Sequence, residues 1–369
     1  MLITEVLLHR ARLPLDPSFH AAWDLQPRTH LDATVVEVRT DDGIVGYGSG
    51  DTMTGFESYL DLFVGKDPLA IAEHVRVIET IDFHAARYWP MEAALWDIAG
   101  KACGQPAATL LGGATDRLRA YASFGALCPP DERAERAVAA VERGFRAMKL
   151  RIAADQVGAG VAAVRAVREA VGPDIAVMVD LNQMWRMSGD TTPALDAVSV
   201  RRLAAELAEL DVYWLEEPLP QHDLPAVRTV REQTGIRVAG GEMVRTLAEL
   251  VDLVQADAFD IYQPDVVLSA GMSRCRFLAE LAHLKHRWFT PHTWTNGLGL
   301  AANLQVAAGV GNVPYLEFPY DPPGWTEHRR DFFLTEPLTV DGDGWLTVPR
   351  SPGLGVTVDH AALRRYAVS

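Results

Sequence analysis

The chain predicts an α/β protein: a (β/α)8 TIM-type barrel with an α+β capping domain formed from the N-terminus plus a C-terminal tail. Three observations carry this. The 369 residues hold a barrel of about 250 residues with a smaller unit beside it. After Gly112-Gly113, short apolar runs alternate with stretches of helical spacing, the rhythm of βα units and a parallel sheet. Before that point the pattern differs, with alternating apolar residues first and helical spacing afterwards.

Leu2 to Leu13 alternates, and Ala33 to Gly48 reads as two strands around the turn Asp41-Asp42-Gly43, a small β meander. From Gly55 to about Cys103 the spacing is helical, as in Met91, Ala94, Leu95, Ile98 and Ala99, with Pro90 near the helix start. The barrel strands are predicted at Leu118 to Phe124, Ala147 to Ile152, Ala176 to Leu181, Val212 to Glu217, Ile236 to Gly241, Phe259 to Gln263, Trp288 to Pro291 and Pro314 to Phe318. Helices such as Arg133 to Arg143, Gly158 to Val171, Val200 to Leu210 and Leu224 to Thr234 fill most of the gaps. Met187 to Val198 breaks the regularity and predicts a loop over the barrel mouth. Leu338 to Val358 returns to strand and turn chemistry and predicts a tail that rejoins the N-terminal unit. The expected boundaries are 1–115 for the cap, 116–335 for the barrel and 336–369 for the tail.

A composition of 49% hydrophobic and 22% charged residues is that of a globular chain with a sizeable core. The net charge of -15, without clustered Lys and Arg, argues against a nucleic-acid partner. Glu5, His9, Arg10 and Arg12 interrupt the N-terminus where a signal peptide needs an apolar core, and no apolar run approaches the length of a membrane span. No membrane partner is expected, and the expected location is the cytoplasm. Cys103, Cys128 and Cys275 lie far apart with no CxxC spacing, which predicts buried free thiols.

Barrel enzymes place their chemistry at the C-terminal ends of the strands. Here those ends are acidic: Asp180 closes one run, Glu216 the next, Glu242 the next, and Asp265 follows Ile261-Tyr262-Gln263-Pro264. Each alone reads equally well as a helix N-cap. Together, carboxylates converging on one mouth repel unless a cation offsets them, and an all-oxygen set without His or Cys favours Mg²⁺ over zinc. Lys149 and Arg151 alternate along the second strand, so both point inward if Leu150 faces the helices; otherwise they are solvated strand-end cations. His292 ends the seventh strand, and Asp265 on its neighbour would fix its tautomer and raise its basicity. Glu317 ends the eighth, where a protonated or hydrogen-bonded carboxyl could donate to a developing oxyanion.

Asp180-Leu181-Asn182 with Trp185, Trp214-Leu215-Glu216-Glu217-Pro218, Gly241-Glu242 and Gln263-Pro264-Asp265 resemble the metal and dyad motifs of the enolase superfamily. Glu242 follows Glu216 by 26 positions and His292 follows Asp265 by 27, similar to the mandelate racemase subgroup. Ala94 to Gly113 and Pro352-Gly353-Leu354-Gly355 extend the likeness over nearly the whole chain. The resemblance implies Mg²⁺ on Asp180, Glu216 and Glu242, a His292–Asp265 acid/base pair, Glu317 bonded to a substrate carboxylate and Lys149 neutralising it. It implies a small-molecule carboxylate substrate and assembly as a homo-oligomer. Arg151 departs from the family, which commonly has Lys there; a guanidinium is a poor proton acceptor and a good electrostatic clamp.

Three functions follow as expectations. The leading one is an acid-sugar dehydratase, in which α-proton abstraction gives an enediolate, the β-hydroxyl leaves and a 2-keto-3-deoxy acid forms. The second is racemisation, epimerisation or lactone cycloisomerisation through the same intermediate. The third is a catalytically silent barrel that binds a metal or ligand. The cap loops supply His20, Trp23, Arg28, His30, Asp51 and Thr52, a polar lining suited to a polyol, and Asn182 and Trp294 stand as substrate contacts on the barrel side.

Overall fold

Alternating apolar residues along Ile3–Phe19 (β1) bury one face of a strand that pairs antiparallel with Arg28–Thr40 (β2), which in turn pairs with Val45–Ser49 (β3). The computed structural model describes residues 1–50, 52–81, 87–186 and 191–368. The β1–β2 ribbon runs further than the alternation indicates. Phe19, buried against Leu15 and Trp325, draws β1 on until it pairs with Arg28. Arg28 and His30 therefore lie on β2 and not in a loop.

A 3-10 turn at Phe56–Leu62 and the helices Ile71–Ile81 (α1) and Trp89–Cys103 (α2) cover this sheet. Helix α2 meets β3 at backbone distance. A Cβ on Gly46 would stand 2.2 Å from the Ala94 carbonyl oxygen, and one on Gly48 1.9 Å from that of Pro90. Ala107–Leu110 (α3) leads into the barrel.

The barrel then runs Arg117–Ser123 (β4), Pro130–Glu142 (α4), Ala147–Arg151 (β5), Val157–Val171 (α5), Ala176–Asp180 (β6), Ala197–Glu209 (α6), Val212–Glu216 (β7), Leu224–Thr234 (α7), Arg237–Gly240 (β8), Leu247–Ala256 (α8), Ile261–Tyr262 (β9), Gly271–Leu284 (α9), Trp288–Phe289 (β10), Gly297–Val310 (α10) and Leu316–Pro319 (β11). Strands β4 to β10 pair in chain order and β11 returns beside β4, all parallel. The eight expected strands are all present. Between β10 and β11 there is no ladder among the described residues. Thr293 spans the gap, its hydroxyl donating to the Glu317 carbonyl at 2.8 Å and its N–H to Glu317 Oε2 at 2.7 Å. The fold is a variant of the (β/α)8 plan, because β11 is followed only by the four-residue Glu327–Arg330 (α11).

Inside the sheet, Tyr121, Ala147, Met178, Trp214, Ala239 and Ile261 pack into a closed apolar floor, one residue from each of six consecutive strands. The tail touches the barrel before it reaches the cap. Trp345–Thr347 (β12) pairs antiparallel with the start of β4, Leu354 N–H donates to Asp97 Oδ1 of α2 at 2.8 Å, and beyond His360–Arg365 (α12) Val368 N–H donates to the Arg10 carbonyl of β1 at 3.1 Å. Of the expected loop at Met187 to Val198, residues 187–190 lie outside the described residues; the irregular segment ends at Asp196, whose side chain accepts from Val198 and Ser199 and starts α6 at Ala197. No described helix is long and apolar enough to cross a membrane. All three cysteines are free, but only Cys275 is buried, while Cys103 is exposed at the end of α2.

Candidate active site

Strand side chains repeat every two residues, so the residue two beyond each floor residue points inward one level higher. That step leads from Tyr121 to Ser123, Ala147 to Lys149, Met178 to Asp180, Trp214 to Glu216 and Ile261 to Gln263, all fully buried. A further step on β5 reaches Arg151, with Leu150 packed outward into the main core. The polar site is thus a second storey on an apolar floor.

One oxygen from each of Asp180, Glu216 and Glu242 lies within 4.8 Å of the others. Gln263 Nε2 and Trp214 Nε1 both donate to Glu216 Oε2, at 2.9 and 3.0 Å, and Trp185 Nε1 donates to Glu242 Oε1 at 2.6 Å. Lys149 Nζ contacts Glu216, lies 2.8 Å from Glu317 Oε1 and 3.4 Å from Asp180 Oδ2. Arg151 contacts Asp180, donates to Asn182 Oδ1 at 3.1 Å and to the Phe124 carbonyl at 3.0 Å. His292 Nδ1 stands 3.0 Å from Asp265 Oδ2, and Asp265 Oδ1 accepts from Val267 N–H and Asn303 Nδ2, at 2.8 and 3.0 Å. Its Nε2 is 3.8 Å from Glu242 Oε2.

The electrostatics are those of acids short of positive charge. Burial, reinforced by neighbouring carboxylates, pushes Glu216 and Glu242 above the usual carboxylate range. Glu217, with neither oxygen hydrogen-bonded, is pushed well above it by burial and by Glu242. Burial opposes protonation of Lys149 and of His292, yet the carboxylates overcome it: Glu216 and Glu317 raise Lys149, and Glu242, Glu317 and Asp265 raise His292 to about 9. Against burial, Lys149 and His292 hold Glu317 below its ordinary value, which favours the hydrogen-bonded carboxyl of the two forms expected there over the protonated one.

This arrangement fits a hard divalent cation. Glu242 Oε2 is buried without a hydrogen-bond partner, and the donors are all oxygen, as Mg²⁺ prefers. Five acids, Asp180, Glu216, Glu242, Asp265 and Glu317, crowd around Lys149, Arg151 and His292, a surplus of acid that a divalent cation would offset.

A cavity of about 360 Å³ opens above these groups, lined by Trp23, Arg28, Arg87, Arg151, Asn182, Trp185, Arg186, Glu242, Met243, His292 and Trp294. Four of the six expected substrate contacts, Asn182, Trp23, Arg28 and Trp294, meet there. The Arg151 guanidinium lies 4.7 Å from the Trp23 ring, which packs edge-on against Trp294 at 4.9 Å. His20 lines a larger neighbouring cavity of about 730 Å³, near the Asp24 carbonyl at 3.1 Å. His30 is drawn to Asp32 at 3.5 Å and lines neither. Asp51 lies outside the described residues.

Sequence reasoning passed over Ser123, which donates to Glu317 Oε1 at 2.7 Å and accepts from Trp294 Nε1 at 2.8 Å. It ends β4, so the rule that found the acids, polar residues at strand ends, would have found it. Asn303 left no such signal, because it reaches Asp265 from the middle of the buried helix α10.

Residues 5–112 match the family described as Mandelate racemase / muconate lactonizing enzyme, N-terminal domain, and residues 132–362 match Enolase C-terminal domain-like. The chain is 31% identical to D-galactarolactone cycloisomerase of Agrobacterium fabrum over 99% of both chains, and 28% identical to arabinonate dehydratase of Saccharolobus solfataricus over 91% of both. The crystal structure of 3,6-anhydro-D-galactonate cycloisomerase from Zobellia galactanivorans matches over 100% of both chains with a TM-score of 0.84 at 25% identity. The chain belongs to the enolase superfamily, in its mandelate racemase and muconate lactonizing enzyme group. Its relatives there are enzymes, dehydratases and cycloisomerases among them.

Proposed function

We propose that the protein abstracts the α-proton of a polyhydroxylated carboxylic acid and expels its β-hydroxyl as water, an acid-sugar dehydratase giving a 2-keto-3-deoxy acid. The observation that carries this is that, among the described residues, His292 is the one imidazole on the cavity wall, and it is paired with Asp265. His292, held by Asp265, is raised to about 9 by the neighbouring carboxylates against burial and so can both take and return a proton, whereas Arg151 is permanently charged and Lys149 is fixed as a cation among three carboxylates. Inverting a stereocentre asks for a competent group on each face, while elimination asks one group to act twice.

His292 Nε2 takes the α-proton, and Asp265 keeps Nδ1 protonated so that Nε2 is the basic nitrogen. The same imidazolium then protonates the β-oxygen as the C–O bond breaks, and water leaves carrying that proton. Lys149 and Arg151 hold positive charge beside the carboxylate while its charge doubles. Asp180, Glu216 and Glu242 would hold a divalent cation, which when bound would supply Lewis acidity.

The test is a panel of acid sugars and their lactones with Mg²⁺, reading 2-keto acid and solvent deuterium in unreacted substrate. Keto acid from an open-chain acid is expected; exchange or isomer without keto product counts against dehydration. Similarity to a lactone cycloisomerase along almost the whole chain favours one second reading, elimination with a ring oxygen as leaving group. Keto acid from a lactone but not from open acids would assign it. His292→Asn is expected to lower turnover by about 10²- to 10⁴-fold, and near-normal turnover would move the acid/base role elsewhere.

A further inference from the structure

We infer that Trp294 is a positioning residue for the proton-abstraction chemistry above, on which this rests: its indole N–H turns the Ser123 hydroxyl so that the one hydroxyl proton is committed to Glu317. The assignment follows from counting donors. A serine hydroxyl has one proton to give and two lone pairs that accept, whereas an indole N–H and a guanidinium only donate. Trp294 Nε1 lies 2.8 Å from Ser123 Oγ, and Arg151 Nη2 lies 3.4 Å from it. Both lone pairs are thereby taken, and the proton has Glu317 Oε1, at 2.7 Å, as its acceptor. Ser123 and Glu317 are fully buried, so bulk water does not compete for either group.

The same short segment holds Glu317 from its other side, because Thr293 N–H donates to Oε2 at 2.7 Å. Among the described residues β10 and β11 form no ladder, so these contacts stand where strand pairing would otherwise fix the height of Glu317. His292, Thr293 and Trp294 therefore place both the base and the carboxylate that faces Lys149 at 2.8 Å. The indole ring is itself gripped, stacked on Phe19 at 5.8 Å and tilted against Trp325 at 5.1 Å. A phenyl ring at position 294 keeps a partner for those contacts and gives up the N–H. Without that N–H the Ser123 hydroxyl is free to turn, Glu317 loses a donor, and Lys149 loses a fixed counter-charge. The cost falls on turnover more than on binding, since the charge that Lys149 meets grows only as the α-proton leaves.

The test is a double-variant cycle in the Mg²⁺-loaded enzyme, reading kcat and KM on the best acid of the panel. Trp294→Phe and Ser123→Ala are each expected to lower kcat about tenfold, toward the lower end of what a hydrogen bond to a charged group contributes, with KM within about threefold. The double variant should lose no more than about twofold beyond either single one, because the indole acts through the hydroxyl. Additive losses or an unchanged kcat in Trp294→Phe overturn the inference, as does a loss confined to KM, which would make Trp294 a substrate contact alone. A second readout needs no substrate. In isotope-labelled protein the Trp294 Nε1–H resonance, identified by its loss in Trp294→Phe, should shift and exchange faster with solvent in Ser123→Ala; a resonance that stays in place also overturns the inference. Lack of α-deuterium exchange on every acid in the parent enzyme removes the proton-abstraction reading and this role with it. Exchange in the parent together with additive variant losses removes the role alone.

Discussion

Glu217 sits one position beyond Glu216 with a positive φ of 47°, 1% exposed, and neither of its oxygens hydrogen-bonded. Its raised pKa, from burial and then Glu242, means the fold holds this proton more tightly than the unfolded chain does. Its contribution to stability is complete below the unfolded value of about 4.3 and is lost as pH rises toward the folded value. Glu217→Gln removes that loss, so in chelator its advantage in thermal midpoint should widen from about pH 5 to about pH 8; a pH-independent difference would refute the assignment. Asp265→Asn bears on the neighbouring ring. Asp265 is one of the groups that raise His292 against burial, so its loss lowers the His292 pKa. The base form then persists to lower pH, and the acid limb of kcat/KM should move down while kcat falls, as a pH–rate profile would show. Residues such as Asp180, Glu216 and His292 were legible because they break apolar runs at the point where a strand ends. The ionised state of Glu317 was not, because it depends on Lys149 arriving from a strand that follows β4, which pairs with β11.

The barrel strands were legible because both faces are covered and nearly every position is buried, as in β5 and β11, so each reads as an apolar run. Their ends were less so. Strands β9 and β10 each shrink to two paired residues, since the apolar residues around them are buried by packing outside any ladder. The β1–β2 extension escaped notice because what stabilises it, Phe19 stacked at 5.8 Å on Trp294, is a contact across 275 residues of sequence. The contact of α2 with β3 permits a direct test. Gly48→Ala puts a methyl group 1.9 Å from a backbone carbonyl, and such overpacking should cost about 1–3 kcal/mol in urea unfolding. A neutral result would mean that the cap helix rides further from its sheet.

At the scale of the whole molecule, the surplus of buried acid ties folding to the cation. EDTA should abolish activity and Mg²⁺ restore it, and Mg²⁺ at about 100 times its Kd should add about 2.7 kcal/mol of stability, measured as a rise in thermal midpoint. An unchanged midpoint would contradict the ligand set of Asp180, Glu216 and Glu242.

The groups proposed to move protons all project from barrel strand ends, whereas Trp23 and Arg28 reach the cavity from the β1–β2 ribbon of the cap. The two jobs are encoded in separate stretches of sequence. Exchanging residues 19–28 for the matching segment of a relative should therefore transplant appetite for a different acid while leaving the reaction itself untouched, much as a new bit fits an existing drill.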